Sequence, residues 1–466
     1  MQQQQPDTDD LAEEADGDEF DFEDLEIVDI GEGENDGCLG DDSFESDESE
    51  GAEPVPVRQP LEVARDDSVA TLSGHASSVF CLAASPDGRL LASGGEDDRA
   101  LVWRVGADGP HAAATAVDAK LVGVCGGHDD SVVFVSFNRT GTLLATGDLS
   151  GQVNVWETSQ FGQEVSANPA NSSSSAEAQP MWSGEAAELR WGCWHPLVAS
   201  ALLVGTGDGS CWLWQIPSGQ CKVIAGGQVD SETTCGLVLP NDPGHALAAH
   251  DNGRVRLLDL RAGQAVATST GSLECDSSVL AIDAAPSSGL AACGTETGDV
   301  VCFRAAAPRV PLAVCSLPQV SAEATTTVQA SASEATPDAS NWSVESVQFC
   351  PQQESLLAAG CLAGFAFVFD LQAADSLRVR LRCSVGAGVV RVLWLPRPAT
   401  TGPLRLATAD VAGRARIWDG LSGQPLLELL GHRDGLLDAC WLSGPLPLLA
   451  TCADKCDCSV KLYRID

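Results

Sequence analysis

One pattern returns along most of this chain and restricts its fold more than any other feature. A Gly-His pair leads into a short apolar run, a polar turn, a second apolar run, an acidic turn, and a third run that closes on an aromatic residue. The first copy reads Gly74-His75, residues 79–83, Ser85-Pro86-Asp87-Gly88, residues 90–94, Glu96-Asp97-Asp98 and Ala100-Leu101-Val102-Trp103. The second reads Gly127-His128, residues 132–137, Asn138-Arg139-Thr140-Gly141, residues 143–147 and residues 152–156. Short runs separated by turn residues at intervals of about ten predict strands, and their recurrence predicts an all-β repeat array.

The closing aromatic, or an apolar residue in its place, recurs at Trp103, Trp156, Trp214, Leu258, Phe303, Phe369, Trp418 and Tyr463. Eight units are therefore expected. Two segments read as loop insertions: 158–180, which contains a run of Ser, and 305–340, rich in Ala, Thr and Ser. Without them about 42 residues remain per unit, inside the ~40–45 of a four-stranded blade repeat. Closure is expected from residues 69–73, lent as the outer strand of a last unit built from about 436–442, 448–452 and 460–464.

Ahead of the repeats the chain is strongly acidic. The whole sequence has 66 Asp and Glu against 26 Lys and Arg, and residues 1–68 hold 26 of those acids with two bases, Arg58 and Arg65. Carboxylates interrupt its apolar pairs, so it cannot bury enough surface to offset its chain entropy. Residues 1–68 are expected to form a disordered leader and residues 69–466 the folded domain. Inside the leader, residues 21–30 alternate apolar side chains with carboxylates, from Asp21-Phe22 to Asp29-Ile30. That stretch reads either as a solvated tail or as a short docking motif. Ser43, Ser46 and Ser49, set among acids, are candidate phosphorylation sites.

This balance disfavours nucleic acid, heparin and anionic membranes, which all need clustered Lys and Arg. It favours a basic protein partner. No apolar stretch reaches the ~18 residues of a membrane span. The opening Met1-Gln2-Gln3-Gln4 lacks the features of a secretory signal. The 18 cysteines form no regular framework. Reduced thiols in a cytoplasmic monomer, with the nucleus as a second compartment, are therefore expected. Cys452, Cys456 and Cys458 come nearest to a metal constellation, but three irregularly spaced thiols without an adjacent His fall short of the usual four ligands. No nucleophile elbow, phosphate loop or HExxH sequence is present, so no enzyme, metal or cofactor is expected.

The Gly-His starts and Trp ends resemble the WD40 repeat family. That resemblance implies a β-propeller of four-stranded blades, in which each His is a buried structural donor linking the blade's loops. Its partners would be His75 with Ser93, Asp97 and Trp103, and His128 with Thr146 and Trp156. In the last unit they would be His432, Thr451 and Asp457, with Tyr463 replacing Trp. Unit 2 departs from the pattern: Ser150 stands at the Asp position and Asp148 two residues earlier. Units 4 to 7 lack both the Gly-His pair and the Asp.

In such a propeller the His-bearing and Asp-bearing loops open on one face. The sequence places Glu96, Asp98, Asp129, Asp130, Asp148, Asp208, Asp251, Glu296, Asp410 and Asp434 there as candidate partner-binding residues. Asp230, Glu232, Asp276, Asp299 and Asp454 lie beside them. Asp suits turns for reasons of its own, yet the excess over Arg99, Arg433 and Lys455 predicts a negative field that steers a basic peptide.

The acidic leader, followed by Gly127-His128-Asp129-Asp130-Ser131-Val132 and Thr146-Gly147-Asp148, resembles the angio-associated migratory cell protein family. This family includes the fungal dedicated chaperone of ribosomal protein uL16. The resemblance implies a propeller that holds the basic N-terminal segment of a newly made large-subunit ribosomal protein. Heparin binding, associated with a basic run in animal members, does not carry over, because this leader has no such run. The alternative is a signalling or cytoskeletal scaffold linked to cell migration, whose binding would depend little on salt. A nuclear histone-type chaperone would share the charge argument.

Overall fold

An apolar run of about six residues buries its alternate side chains by pairing with a neighbour, and the turns between runs fold each onto the last. The computed structural model describes residues 60–107, 117–162, 177–224, 231–266, 272–319, 328–329, 341–371, 377–397, 402–444 and 446–465. Among them the pairing produces eight antiparallel sheets, the eight blades of a propeller. Blade 1 is Val79–Ala84, Leu90–Gly95, Ala100–Ala107 and Val117–Cys125, hydrogen-bonded in that order. Blades 2 to 7 repeat the order from first strands that begin at Val132, Leu189, Thr233, Val279, Val344 and Val389. The eight closing residues from Trp103 to Tyr463 all fall on third strands.

Blade 8 joins the two ends of the chain. Leu436–Leu442, Leu448–Ala453 and Ser459–Arg464 take Ala70–Ser73 as their outer strand, with Leu72 opposite Val460. The folded part begins earlier than the expected boundary at residue 69. Leu61 N–H donates to Arg433 O at 2.6 Å, Asp67 N–H to Leu430 O at 2.9 Å, and Lys461 pairs with Asp66 at 2.6 Å. Residues 60–68 thus run along blade 8. Residues 1–59, with the 21–30 stretch and the candidate phosphorylation sites, lie outside the described residues.

The two expected insertions are also redrawn. Pro311–Ser316, inside 305–340, is the outer strand of blade 5. Val328–Gln329 from the same segment adds a fifth strand, parallel, to the edge of blade 6. From 158–180, Phe161 is buried against Gly123 of blade 1, and Glu177 bridges Val124.

Neighbouring blades meet by a knob entering a notch. The first residue of every first strand (Val79, Val132, Leu189, Thr233, Val279, Val344, Val389, Leu436) is fully buried. Five of them face a glycine near the end of the preceding blade's second strand: Val132 at Gly94, Leu189 at Gly147, Thr233 at Gly205, Val344 at Gly294, and Val389 at Gly360. A Cβ added to Gly147 would stand 2.4 Å from Leu189, so the missing side chain sets how closely blades approach. First strands also bridge round the axis. Asp283 accepts from Phe349 N–H at 2.7 Å, and Gln348 from Trp394 N–H at 2.6 Å. Asp438 accepts from Leu82 N–H at 3.0 Å. Among the described residues no helix is long and apolar enough to cross a membrane.

If the borrowed strand holds the ring shut, Leu72→Asp buries an unpaired charge in blade 8. It should lower stability by about 3 kcal/mol or more. Ser73→Asp, on the exposed side of the same strand, should change it by less than about 0.5 kcal/mol. Urea unfolding of the two variants measures this; equal losses would contradict the closure described here.

Candidate protein-binding rim

The loops that enter first strands and the hairpins between second and third strands lie on one face, and a buried network in three blades ties them together. In blade 1, His75 Nδ1 is 2.8 Å from Asp97 and Nε2 is 2.8 Å from Ser93 Oγ, which also accepts from Trp103 Nε1 at 3.1 Å. A carboxylate can only accept, so Nδ1 carries the proton and the Ser93 hydroxyl is free to donate to Nε2. Ala76 N–H donates to the same carboxylate at 2.9 Å, which pins the entering loop to the hairpin. Burial would push the Asp97 carboxyl up, but the His75 hydrogen bond, the Ala76 N–H and Arg99 outweigh it and hold it below its ordinary value.

Blade 8 repeats this geometry with His432, Asp457 and Thr451 at 3.1 and 2.8 Å. Burial of Asp457 is overcome by His432, by Ser459 and by the Arg433 N–H, and its carboxyl is lowered to about 2. The three cysteines lie around Asp457: Cys452 on the second strand, Cys456 just before it and Cys458 just after it. Cys452 lies in the core, and among the described residues no group of three or more His, Cys, Asp or Glu could hold a metal.

Blade 2 corrects the expectation for Asp148. Its side chain is fully buried and 3.1 Å from His128 Nδ1, with Thr146 Oγ1 bound to both His128 Nε2 (2.8 Å) and Trp156 Nε1 (2.9 Å). Asp148 is thus the network carboxylate, and Ser150 merely donates to it at 2.7 Å. It closes the second strand, Leu143–Asp148, rather than sitting in the turn.

Asp410 closes Arg405–Asp410 in the same way and is likewise buried, paired with Arg416 and Arg414 at 3.3 Å each. Thr408 accepts from Trp418 Nε1 at 3.0 Å. Arg416 reaches Val385 O in the entering loop at 2.5 Å, the tie that His makes elsewhere. Blade 7 therefore does have its Asp, and a cation from the third strand replaces the His. Burial raises the Asp410 carboxyl despite Arg414 and Arg416. Asp434 is buried too, accepting from Cys456 N–H at 3.0 Å and Gly435 N–H at 2.9 Å. These three carboxylates leave the exposed rim because burial and full hydrogen bonding consume them.

Spacing could have revealed Asp148 and Asp410. The hydroxyl residue stands ten positions before the Trp in Ser93/Trp103, Thr146/Trp156 and Thr408/Trp418, and Asp follows two after Thr in the last two.

Glu96, Asp98, Asp129, Asp130, Asp208, Asp251 and Glu296 remain, all exposed. None of them forms an ion pair with another described residue, whereas the nearby arginines are already matched: Arg99 with Asp97, Arg190 with Glu188 and Glu232, Arg254 with Glu274. Glu96 accepts from the hydroxyls of Ser77 (2.5 Å) and Ser78 (2.8 Å), which hold its carboxyl below the usual range. The uncompensated charge forms an arc over blades 1 to 5. On blades 6 and 7 the hairpins carry Leu362-Ala363 and Val411-Ala412 instead. Asp230 lies outside the described residues.

The tryptophans unassigned by the repeat are packing groups. Trp182 and Trp212 lie against Trp214 at 5.3 and 5.7 Å, Trp342 stacks on Phe365 at 5.7 Å, and Trp191 is buried between blades 3 and 4 against Gly205 and Gly236.

Comparison with known proteins agrees with this architecture. The family model for the WD domain, G-beta repeat, matches residues 66–104 and 119–157. The angio-associated migratory cell protein of Homo sapiens is 33% identical over 374 residues, covering 80% of this chain and 75% of that protein. The ribosome assembly protein SQT1 of Saccharomyces cerevisiae is 31% identical over 189 residues, 41% of this chain and 36% of that one. Among solved structures, Chaetomium thermophilum Sqt1 bound to the N-terminus of ribosomal protein L10 superposes with a TM-score of 0.66 at 20% identity, over 86% of this chain and 100% of that one. The Saccharomyces cerevisiae Sqt1 structure gives 0.68 at 20% identity, over 86% and 99%.

Two outcomes follow from the network. Asp148→Ala strands the His128 ring and several N–H donors, and should cost on the order of 3 kcal/mol in urea unfolding; a loss below about 0.5 kcal/mol would show that the carboxylate holds nothing. Asp457 contributes stability above its unfolded pKa of about 3.9, and loses it as pH falls towards the folded value. The stability gap between the wild type and Asp457→Asn should therefore be full at pH 7 and narrow as pH falls below about 4. A gap constant down to pH 3 would contradict the assignment.

Proposed function

We propose a function from the premise that this chain belongs to the angio-associated migratory cell protein family of WD40 propellers. It is a non-enzymatic chaperone that captures a basic segment of a newly made large-subunit ribosomal protein, uL16-like, and keeps it soluble until assembly. The observation that carries this reading is the arc of exposed, unpaired carboxylates on blades 1 to 5. Such an arc offers charge-assisted hydrogen bonds to Arg and Lys and steers a basic chain towards the face. The histidines of that face are engaged in blade networks, which removes the best candidates for a general base.

The relatives support the same partner class. One is a ribosome assembly protein, and a structural relative was solved with the N-terminus of a ribosomal protein bound. Leu61 lies beside Arg433 on the rim face, so the described chain enters the propeller at that face. The chain acts as a cytoplasmic monomer with no direct contact to nucleic acid, and needs no cofactor.

The test is titration of a basic N-terminal peptide of ribosomal protein uL16 into the full chain at low and high salt. Binding should be tight at low salt and weaken steeply as salt rises. Reversal of Asp129 and Asp130 to Lys should weaken it roughly tenfold or more at low salt. Reversals without effect would remove the rim from the reading. Tight binding of acidic or neutral motifs, independent of salt, would favour the migration-linked scaffold instead.

A further inference from the structure

All eight blades share one irregularity. Where the first strand pairs with the second, the register skips a residue: Phe80, Val133, Arg190, Thr234, Leu280, Glu345, Val390 and Leu437 in blades 1 to 8. A bulge takes its residue out of the ladder and re-aims the side chain. The residue before each bulge is the fully buried knob between blades. Its successor is turned the other way, and all eight are half-buried. First strands pack against one another round the axis, and these positions lie at the ends that carry the rim loops. They form a ring at the mouth of the central channel.

The ring is uneven. Val390, Leu437, Phe80 and Val133 occupy blades 7, 8, 1 and 2, four neighbours in a row, while Arg190, Thr234 and Glu345 make most of the opposite side polar. The apolar sector borders Glu96, Asp129 and Asp130, so it adjoins one end of the carboxylate arc. Leu437 and Val390 pack in part on the cores behind them, yet all four side chains stay half-buried at the mouth, and an apolar patch with a polar border marks a recognition site.

We propose that this sector is a subsite for one apolar or aromatic side chain of the basic segment held by the rim, so that the client is read by charge and by an apolar anchor together. The inference rests on the rim reading. The bordering carboxylates fix the occupant's chemistry: a purely apolar segment would leave them without partners, whereas a basic segment with one large apolar residue satisfies both surfaces. The carboxylates provide attraction, and the anchor provides register and discrimination among basic chains.

The experiment uses the full chain and a set of synthetic peptides of equal length and charge. The parent contains Arg, Lys, Gly and Ser, and each derivative has Phe at one uncharged position. Calorimetry at low salt should find at least one derivative that binds about tenfold tighter than the parent. In Phe80→Ser and Leu437→Ser chains, each first checked for an unchanged melting temperature, that derivative and the parent should bind alike. The proposal is overturned if no derivative gains over a parent that binds, or if the gain survives both substitutions. Should neither parent nor derivative bind at low salt, the rim reading fails and the subsite with it.

Discussion

The contact on which the structure depends is the fully buried first residue of each inner strand, which in five of the eight blades is set into a glycine notch on the blade before it. Burying an apolar side chain of this size contributes roughly 1.5–3 kcal/mol, and here it is repeated in seven of the eight blades round a closed ring, with Thr233 in blade 4. The notch needs a very small residue. Gly94, Gly147, Gly205, Gly294 and Gly360 supply one, at the cost of conformational freedom in the unfolded chain. Once the first residue is committed to the notch, the strand must bulge at the second to restore its pairing. The same packing that closes the ring therefore also builds a ring of half-buried side chains at the channel mouth.

The second organising device is the tie between loops. A His joins a carboxylate and a hydroxyl in blades 1, 2 and 8, and in blade 7 Arg416 joins Asp410 to Val385 O, so that the entering loop is fixed against the hairpin. These ties sort the acidic residues of the face into two kinds. Asp97, Asp148, Asp410 and Asp457 are consumed inside the blades; hydrogen bonds outweigh desolvation for Asp97, Asp148 and Asp457, whereas burial prevails at Asp410. Glu96, Asp98, Asp129 and Asp130, with their counterparts on blades 3 to 5, are held on a rigid frame and face water without ion pairs among the described residues, although the charge of Lys455 acts on Glu96. A face built this way loses little entropy when a basic chain settles on it, since its loops are already ordered.

Much of this was legible in the sequence because periodicity and closure are local or nearly so. The aromatic positions gave the eight blades, and residues 69–73 were recognisable as the missing strand. Burial was not legible in the same way. Asp148 and Asp410 read as turn residues because Asp is common in turns, but whether the last residue of a second strand points inward depends on the neighbouring blade. Asp434 is buried by Cys456 and the turn before Asp457, a contact of 22 residues' separation. Arg416 was unreadable as a replacement for His because its partners, Val385, Asp410 and Glu428, lie on three different strands or loops. The boundary of the leader missed residues 60–68 for a related reason: their partners Leu430, Arg433 and Lys461 lie more than 360 residues away.

The central claim is that the face bearing the carboxylate arc takes up a basic chain. Hydrogen exchange of the full chain, with and without a saturating basic peptide, tests it most directly. The account predicts slower exchange at 96–99 and 126–131, on the rim, and no change in the hairpins at 85–89 and 138–142 on the opposite face. Protection confined to those hairpins, or none at saturation, would contradict it.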